Sequence, residues 1–239
     1  MRSFPVDDPA YGGCRGDDRL GDQSCVRRAI AAAQRAGGGT IVFGPETWRL
    51  SVDGADSLNG IVVSPHVNSR GAGRGRTTII LVAKPASTPG ALVLTLLGEN
   101  RIERITFHDD RVHKPQEVPT AFIRMGLSRG ENDIAPDVSD IVISHDRIEH
   151  QDIAISDGGA PIRRLLITYD EFGAYSSALE LAGSRFRVTQ RFDARDSVIA
   201  FNVFKPGSYL NVPMRQGTMA SEIGARSGLV PLGRFRRFP

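Results

Sequence analysis

Four short apolar segments in the middle of the chain open alike: Ala91-Leu-Val-Leu94, Ala121-Phe-Ile-Arg124, Ala154-Ile-Ser-Asp157 and Ala178-Leu-Glu-Leu181. Glycine follows each within a few residues, at Gly98, Gly126, Gly158 and Gly183. A second short strand then recurs: Ile105-Thr-Phe-His108, Ile143-Ser-His-Asp146, Ile167-Thr-Tyr-Asp170 and Ile199-Ala-Phe-Asn202. The steps from Asp146 to Asp170 and from Ile155 to Leu179 are both 24 residues. The other steps are longer, as loops inserted at one corner would make them. A period of roughly 20 to 50 residues marks a stacked-repeat architecture.

Each unit offers two short strands with glycine or polar corners and no helix. One such coil cannot bury its apolar face alone and must stack on its neighbours. The arrangement that fits is an all-β, single-stranded parallel β-helix. A leucine-rich solenoid is excluded, because its leucine spacing and helical half are absent. Alternate residues of a strand point to opposite faces. Leu92, Phe122, Ile155 and Leu179 are therefore expected to stack as one internal row, and Ile105, Ile143, Ile167 and Ile199 as another. Val93, Ile123, Ser156 and Glu180 are expected to face outward. His108, Asp146, Asp170 and Asn202 share one slot of successive units. A polar ladder that satisfies backbone groups at the turn is the expectation there.

The chain divides at about residues 50 and 204 within a single structural domain. Residues 1–50 hold the one convincing helix. Asp22-Gln-Ser24 is an N-cap cluster. Val26, Ala29, Ile30 and Ala33 make one apolar stripe, and Gly37-Gly-Gly39 ends it. Strands follow at Thr40–Phe43 and Thr47–Leu50, with Trp48 expected in the core beneath the helix. Residues 51–204 carry the coils. Residues 205–239 leave the pattern, although Tyr209-Leu-Asn-Val-Pro reads as one more strand. With 40% hydrophobic and 24% charged residues the chain is globular rather than disordered. Its net charge of +3 is too small an excess to argue for nucleic acid. No apolar run approaches the ~20 residues of a membrane span, so neither nucleic acid nor membrane is an expected partner. Met1 to Gly13 shows no signal peptide.

The stretch from Asp22-Gln-Ser-Cys-Val-Arg-Arg-Ala-Ile30 through Gly37-Gly-Gly-Thr-Ile-Val-Phe-Gly-Pro45 to Thr47-Trp-Arg-Leu50 resembles the opening of pectate lyase superfamily proteins. Pro65-His-Val-Asn-Ser-Arg-Gly71 through Thr78-Ile-Ile-Leu81 is similar to that family's next coil. The resemblance implies a right-handed, pectin lyase-like parallel β-helix with an N-terminal capping helix. The family includes polygalacturonases, rhamnogalacturonases, pectate lyases, epimerase-like proteins and phage tailspikes. It implies an elongated groove for a polysaccharide partner and an extracellular or cell-surface location. The five or six coils that fit here are fewer than family enzymes commonly have, so the implied member is a truncated or divergent one.

Family hydrolases place carboxylates on either side of the scissile bond. The polygalacturonase Asp-Asp slot falls near His150-Gln151 here, and the Gly-His-Gly slot near Ala174-Tyr175-Ser176, so neither motif is present. Lyases use calcium to acidify the proton beside the sugar carboxylate. Calcium is the one cofactor to expect, and only for a lyase; no metal ligands are assigned. The candidate catalytic residues are Asp109, Asp110, His150 and Asp152. Histidine titrates near neutral pH and suits a general base, while a carboxyl raised by a like neighbour suits an acid. Arg111, His113, Lys114 and Tyr175 are the candidate substrate-binding residues, the cations holding a uronate carboxylate. All lie at one corner of successive coils, which stacking brings to roughly 5 Å spacing. The Gly71–Thr78 run lacks the ending of a phosphate loop and reads as a turn.

Cys14 and Cys25 flank the start of the helix. A disulfide and two free thiols both remain open, since distance cannot be read from sequence. The functional expectation is a protein acting on the glycosidic bonds of an acidic polysaccharide, as hydrolase or lyase. The alternative is a non-catalytic glycan-binding or structural β-helix.

Overall fold

A computed structural model describes residues 1–16, 21–51, 60–82, 92–109, 121–127, 136–149, 153–156, 160–173, 177–180, 194–205 and 209–211. The chain winds as a parallel β-helix, visiting three sheets in a fixed order. Gly39–Val42 lies in the first sheet, Thr47–Ser51 in the second and Ile61–Val63 in the third. Val67–Arg70 then returns to the first sheet, beside Gly39–Val42. The cycle repeats until Tyr209–Asn211 closes the third sheet as its sixth strand. The second sheet also has six strands, and the first has eight because Ser3–Pro5 adds an edge and the last coil pairs with Ile162–Thr168 through two strands, Ala194–Arg195 and Val198–Ala200. The stack thus takes in strands on both sides of residues 51–204. Each coil has three strands, where two were expected from the sequence. The third was hidden because second-sheet strands such as Arg147–Glu149 and Glu171–Gly173 are three residues long. Only one of those three residues points inward, too few to show an alternation.

Three inward rows form the core. In the second sheet Trp48, Ile79, Phe107, Ile148 and Phe172 are in register and fully buried. In the first, Ile102, Ile143, Ile167 and Ile199 stack. In the third, Ile61, Leu94, Ile123, Ile155 and Leu179 stack. The Ile143–Ile167–Ile199 and Ile155–Leu179 registers match expectation, and the placements of five residues need correction. Ile102, not Ile105, continues the isoleucine row. Leu94 and Ile123, not Leu92 and Phe122, continue the third-sheet row. Phe122 is nevertheless internal, its ring centroid 5.3 Å from that of Phe107. Val93 and Ile123 are buried rather than outward. In the third sheet the alanines are out of register by one residue at each step: Ala121 pairs with Ile153, not Ala154, and with Leu92, not Ala91, and a one-residue shift moves a side chain to the other face.

From the third coil onward the first-to-second sheet corner is two residues long. Arg104, His145, Tyr169 and Phe201 there have φ between 58° and 65°. The left-handed region is uncommon for bulky residues. The following residue holds the turn. Asp146 Oδ1 accepts from Ile105 N (2.7 Å), Asp170 Oδ1 from Asp146 N (2.7 Å) and Asn202 Oδ1 from Asp170 N (2.8 Å). The expected polar ladder exists for these three residues. His108 does not belong to it, because it pairs with Glu149 in the second sheet. Outside the ladder, the exposed rings of His145, Tyr169 and Phe201 stack at 5.1 and 5.2 Å.

The helix spans Gln23–Arg35 and buries Val26, Ala29, Ile30 and Ala33. That face lies against Ser3–Pro5 and the first-coil strands. Asp22 occupies the N-cap position but makes no side-chain cap bond. Its carboxylate instead accepts from Arg49 N at 2.7 Å, tying the helix start to the first coil. Gly37 ends the helix with φ 79°. A Cβ on Gly39 would stand 2.3 Å from the Phe4 ring, so only glycine fits there. Gly71 to Thr77 forms a turn, closed by Thr77 Oγ1 accepting from Ala72 N at 2.8 Å.

Cys14 and Cys25 are disulfide-bonded, with Cα atoms 6.1 Å apart. The bond pins the segment before the helix onto its first turn. Cross-linking of this kind removes chain entropy from the unfolded state, by about 3 kcal/mol for a short loop. Reduction, or Cys14→Ser with Cys25→Ser, is expected to lower the thermal midpoint by about 5–10 °C. Calorimetry with and without reductant checks this.

Candidate functional site

All eight candidate site residues fall at the second-to-third sheet corner. The strands that flank this corner are neighbours in register: His108 pairs with Glu149 before it, and Ala121, Ile153 and Ser177 pair after it. Asp109 is the last residue of the strand Thr106–Asp109 and lies beside Leu81. The side chain of Asp109, and Asp110, Arg111, His113, Lys114, His150, Asp152 and Tyr175, lie outside the described residues. What is placed is therefore their anchorage. The strands that carry them lie one coil apart, at the ~4.8 Å spacing of paired strands.

On the third-sheet side of the corner, Thr95, Arg124 and Ser156 share one row. Arg124 is partly exposed between buried Ile123 and Met125, so alternation puts it on the outer face. Ser156 is outward as expected, and the side chain of Glu180, next in the row, lies outside the described residues. Arg124 was not singled out from sequence. Its signal was a lone cation at an outward position in an otherwise apolar strand.

On the second-sheet side, a charged network covers the strand ends that lead into the corner. His108 Nδ1 lies 3.7 Å from Glu149 Oε2. Lys205 Nζ bridges Glu149 at 3.2 Å and Glu171 at 2.8 Å. Arg147 reaches Glu171 at 3.0 Å. Partial burial would raise the Glu171 carboxyl, but Lys205 and Arg147 outweigh it and hold the group below its ordinary value. The hydrogen bond to Glu171 in turn raises Lys205. Half-exposed pairs like these are each worth under about 1 kcal/mol, so the network positions groups more than it stabilises the fold. Chemically it places an imidazole near a carboxylate, beyond hydrogen-bond distance, one residue from Asp109. Sequence reasoning assigned His108 to the polar ladder instead, and missed Arg147, Glu149 and Glu171 because they sit on strands too short to recognise. Arg-Ile-Glu occurs at both 101–103 and 147–149, yet the two copies belong to different sheets.

A separate groove of about 750 Å³ crosses the outer face of the first sheet, past Thr40, Asn68, Arg70 and Arg101. Much of its charge is already paired, Arg101 with Glu103 (3.2 Å), Glu99 with His66 (2.7 Å) and Asp140 with Arg164 (2.6 Å). Among the described residues, no group of three or more His, Cys, Asp or Glu is placed to hold a metal. No helix among them is long and apolar enough to cross a membrane.

No family model matches the chain. It is 36% identical over 87 residues to the mannuronan C5-epimerase AlgE6 of Azotobacter vinelandii, a match covering 36% of this chain and 10% of that protein. It is 36% identical over 70 residues to alginate lyase 7 of the same organism, covering 29% of this chain and 8% of that one. Among solved structures, the A-module of Azotobacter vinelandii mannuronan C-5 epimerase AlgE6 superposes with a TM-score of 0.56 at 20% identity. That superposition covers 87% of this chain and 50% of the A-module. The likeness shows the fold, the right-handed parallel β-helix of pectate lyase-like proteins.

Lys205→Met removes both lysine bonds to the carboxylates. Glu171 should then titrate at a higher pH, closer to the ordinary carboxylate value, in a side-chain NMR titration. Because its folded-state value is lowered, its share of stability is present above the unfolded value and lost as pH falls through the folded one. The midpoint should therefore drop by no more than about 4 °C at neutral pH, and by less near pH 3.

Proposed function

We propose that this chain is a carbohydrate-active protein acting on a uronic-acid polysaccharide of the alginate type, and that it does so by removing the proton at C5. The observation that carries this reading is the pair of sequence relatives, one named a mannuronan C5-epimerase and one an alginate lyase, seen with the β-helix. Epimerisation at C5 and eliminative cleavage share a first step, loss of the proton next to the sugar carboxylate. That step needs a positive charge to neutralise the carboxylate, a base for the proton, and an acid to complete the reaction. An epimerase returns a proton to the opposite face of C5. A lyase protonates the departing O4. The missing Asp-Asp and Gly-His-Gly motifs disfavour hydrolysis on this scaffold.

Asp109, Asp110, His150 and Asp152 are the proposed acid–base groups. Arg111, His113, Lys114 and Tyr175 are proposed to hold the polymer, with Arg124 on the adjacent outer face as a further carboxylate partner. A guanidinium suits this task because it can pair with a carboxylate through two parallel hydrogen bonds. Since no described cluster fits calcium, no step is routed through it. The disulfide supports an oxidising, extracellular setting.

The test is incubation of the purified protein with polymannuronate and with mixed alginate. Ultraviolet absorbance of unsaturated ends reports a lyase, and a change of uronate composition by NMR without new ends reports an epimerase. New ends without unsaturation would replace this reading with hydrolysis, and binding without any product would replace it with a glycan-binding role. His150→Ala and Asp152→Asn are each expected to lower turnover at least 100-fold, on the order expected for loss of a proton-transfer group, with an unchanged circular dichroism spectrum.

A further inference from the structure

The ladder at the first-to-second sheet corner contains an inconsistency of chemistry. Asn202 shows what the slot requires. Its Oδ1 accepts from Asp170 N, and its Nδ2 donates to Ile167 O at 2.9 Å, in the preceding coil. One atom of the side chain must accept and the other must donate. Asp170 and Asp146 occupy the same slot one and two coils earlier, and each satisfies the accepting half through Oδ1. Their second oxygens are buried and bond to nothing. Both residues are 0% exposed. The carbonyls at the register of Ile167 are those of Ile143 for Asp170 and Ile102 for Asp146. An ionised carboxylate can only accept, and a buried ion without a partner is costly. A protonated carboxyl donates through its O–H and matches Asn202 in both halves.

We infer that Asp146 and Asp170 form a buried proton-binding site, in which the carboxyls take up protons so that each oxygen can serve a backbone group of the neighbouring coil. Few charged groups face the pair. Asp170 and, more weakly, Glu103 disfavour charge on Asp146, while the Arg74 guanidinium on the glycine-rich turn favours charge on Asp170. Arg104, His145 and Tyr169 sit at the same corner but are exposed. Burial comes first among the causes that push Asp146 well above the ordinary carboxylate value, followed by Asp170. Burial likewise raises Asp170 to about 7, against the pull of Asp146 N–H and Arg74. Arg74 donates to Tyr169 O at 3.3 Å, next to Asp170, and is the cation within reach once that residue ionises.

The consequence is a stability that depends on pH in the direction opposite to that of a salt-bridged carboxylate. The folded state holds protons that the unfolded chain releases above about pH 3.9. The stabilisation is complete below that value and is lost as pH rises through the folded value near 7. The site thus ties the third, fourth and fifth coils together more firmly in acid than in base.

The test is the thermal midpoint between about pH 5 and pH 8, read for the native chain, for Asp146→Asn with Asp170→Asn, and for Asn202→Asp. The native midpoint should fall across this range. The double asparagine variant should gain about 5 °C or more at the upper end, and its profile should flatten. Asn202→Asp adds a third carboxyl and should lose midpoint at the upper end while matching the native chain at the lower. The Cγ resonances of Asp146 and Asp170 in ¹³C-labelled native protein should remain those of a protonated carboxyl well above the ordinary carboxylate range. Ionisation of both near the ordinary aspartate value would overturn the inference. So would a double variant that folds but keeps the native slope. If that variant does not fold, the Asn202→Asp profile and the native titration still decide.

Discussion

Everything in this molecule depends on the hydrogen bonding of one coil to the next. A coil by itself has no core and no paired backbone. Stacked, each strand meets its equivalent in parallel register, and the inward side chains form continuous rows from Trp48 to Phe172 and from Ile61 to Leu179. The register is held most tightly where the backbone turns. At those corners side chains replace backbone partners: Asp146, Asp170 and Asn202 at one corner, and Asn100, which donates to Ser64 O and Val67 O, at another. A polar residue at such a corner therefore has a structural task before any functional one.

That division explains where function can reside. From the third coil onward the first-to-second sheet corner is short and repeats its backbone geometry from coil to coil, with φ near 60° at Arg104, His145, Tyr169 and Phe201. In the second coil the same corner is lengthened to the Gly71–Thr77 turn. The second-to-third sheet corner varies in length, from three residues between Glu149 and Ile153 to eleven between Asp109 and Ala121. A stacked scaffold tolerates insertions at one corner because the strands on either side stay in register. Loops positioned by a rigid frame are where binding and catalytic residues concentrate. The charged network of His108, Glu149, Glu171 and Lys205 and the outward Arg124 border that corner from its two sides.

The polar ladder shows how one slot can serve two ends. Asparagine meets its hydrogen-bonding demand at any pH. Aspartate meets it only with a proton bound. Replacing one by the other keeps the shape of the turn and makes the joint between coils sensitive to acidity. The coils remain stacked because the inward rows do not depend on that slot.

The sequence by itself determined the architecture. Repeats of short strands without helices admit few folds, and the 24-residue step put Asp146 beside Asp170 and Ile155 beside Leu179. The helix stripe of Val26, Ala29, Ile30 and Ala33 was equally legible, because helical periodicity is a local property. Three things were decided only in the tertiary structure. The third strand of each coil was one, since three residues cannot display an alternation. The register at Ala121 was another: a local likeness among alanines cannot reveal a slip that only pairing with Ile153 fixes. The surroundings of the site were the last. His108 and Glu149 are 41 residues apart in sequence, and Lys205 lies 56 residues beyond Glu149. Only the closing of successive coils, at a few ångströms each, brings such residues onto one face.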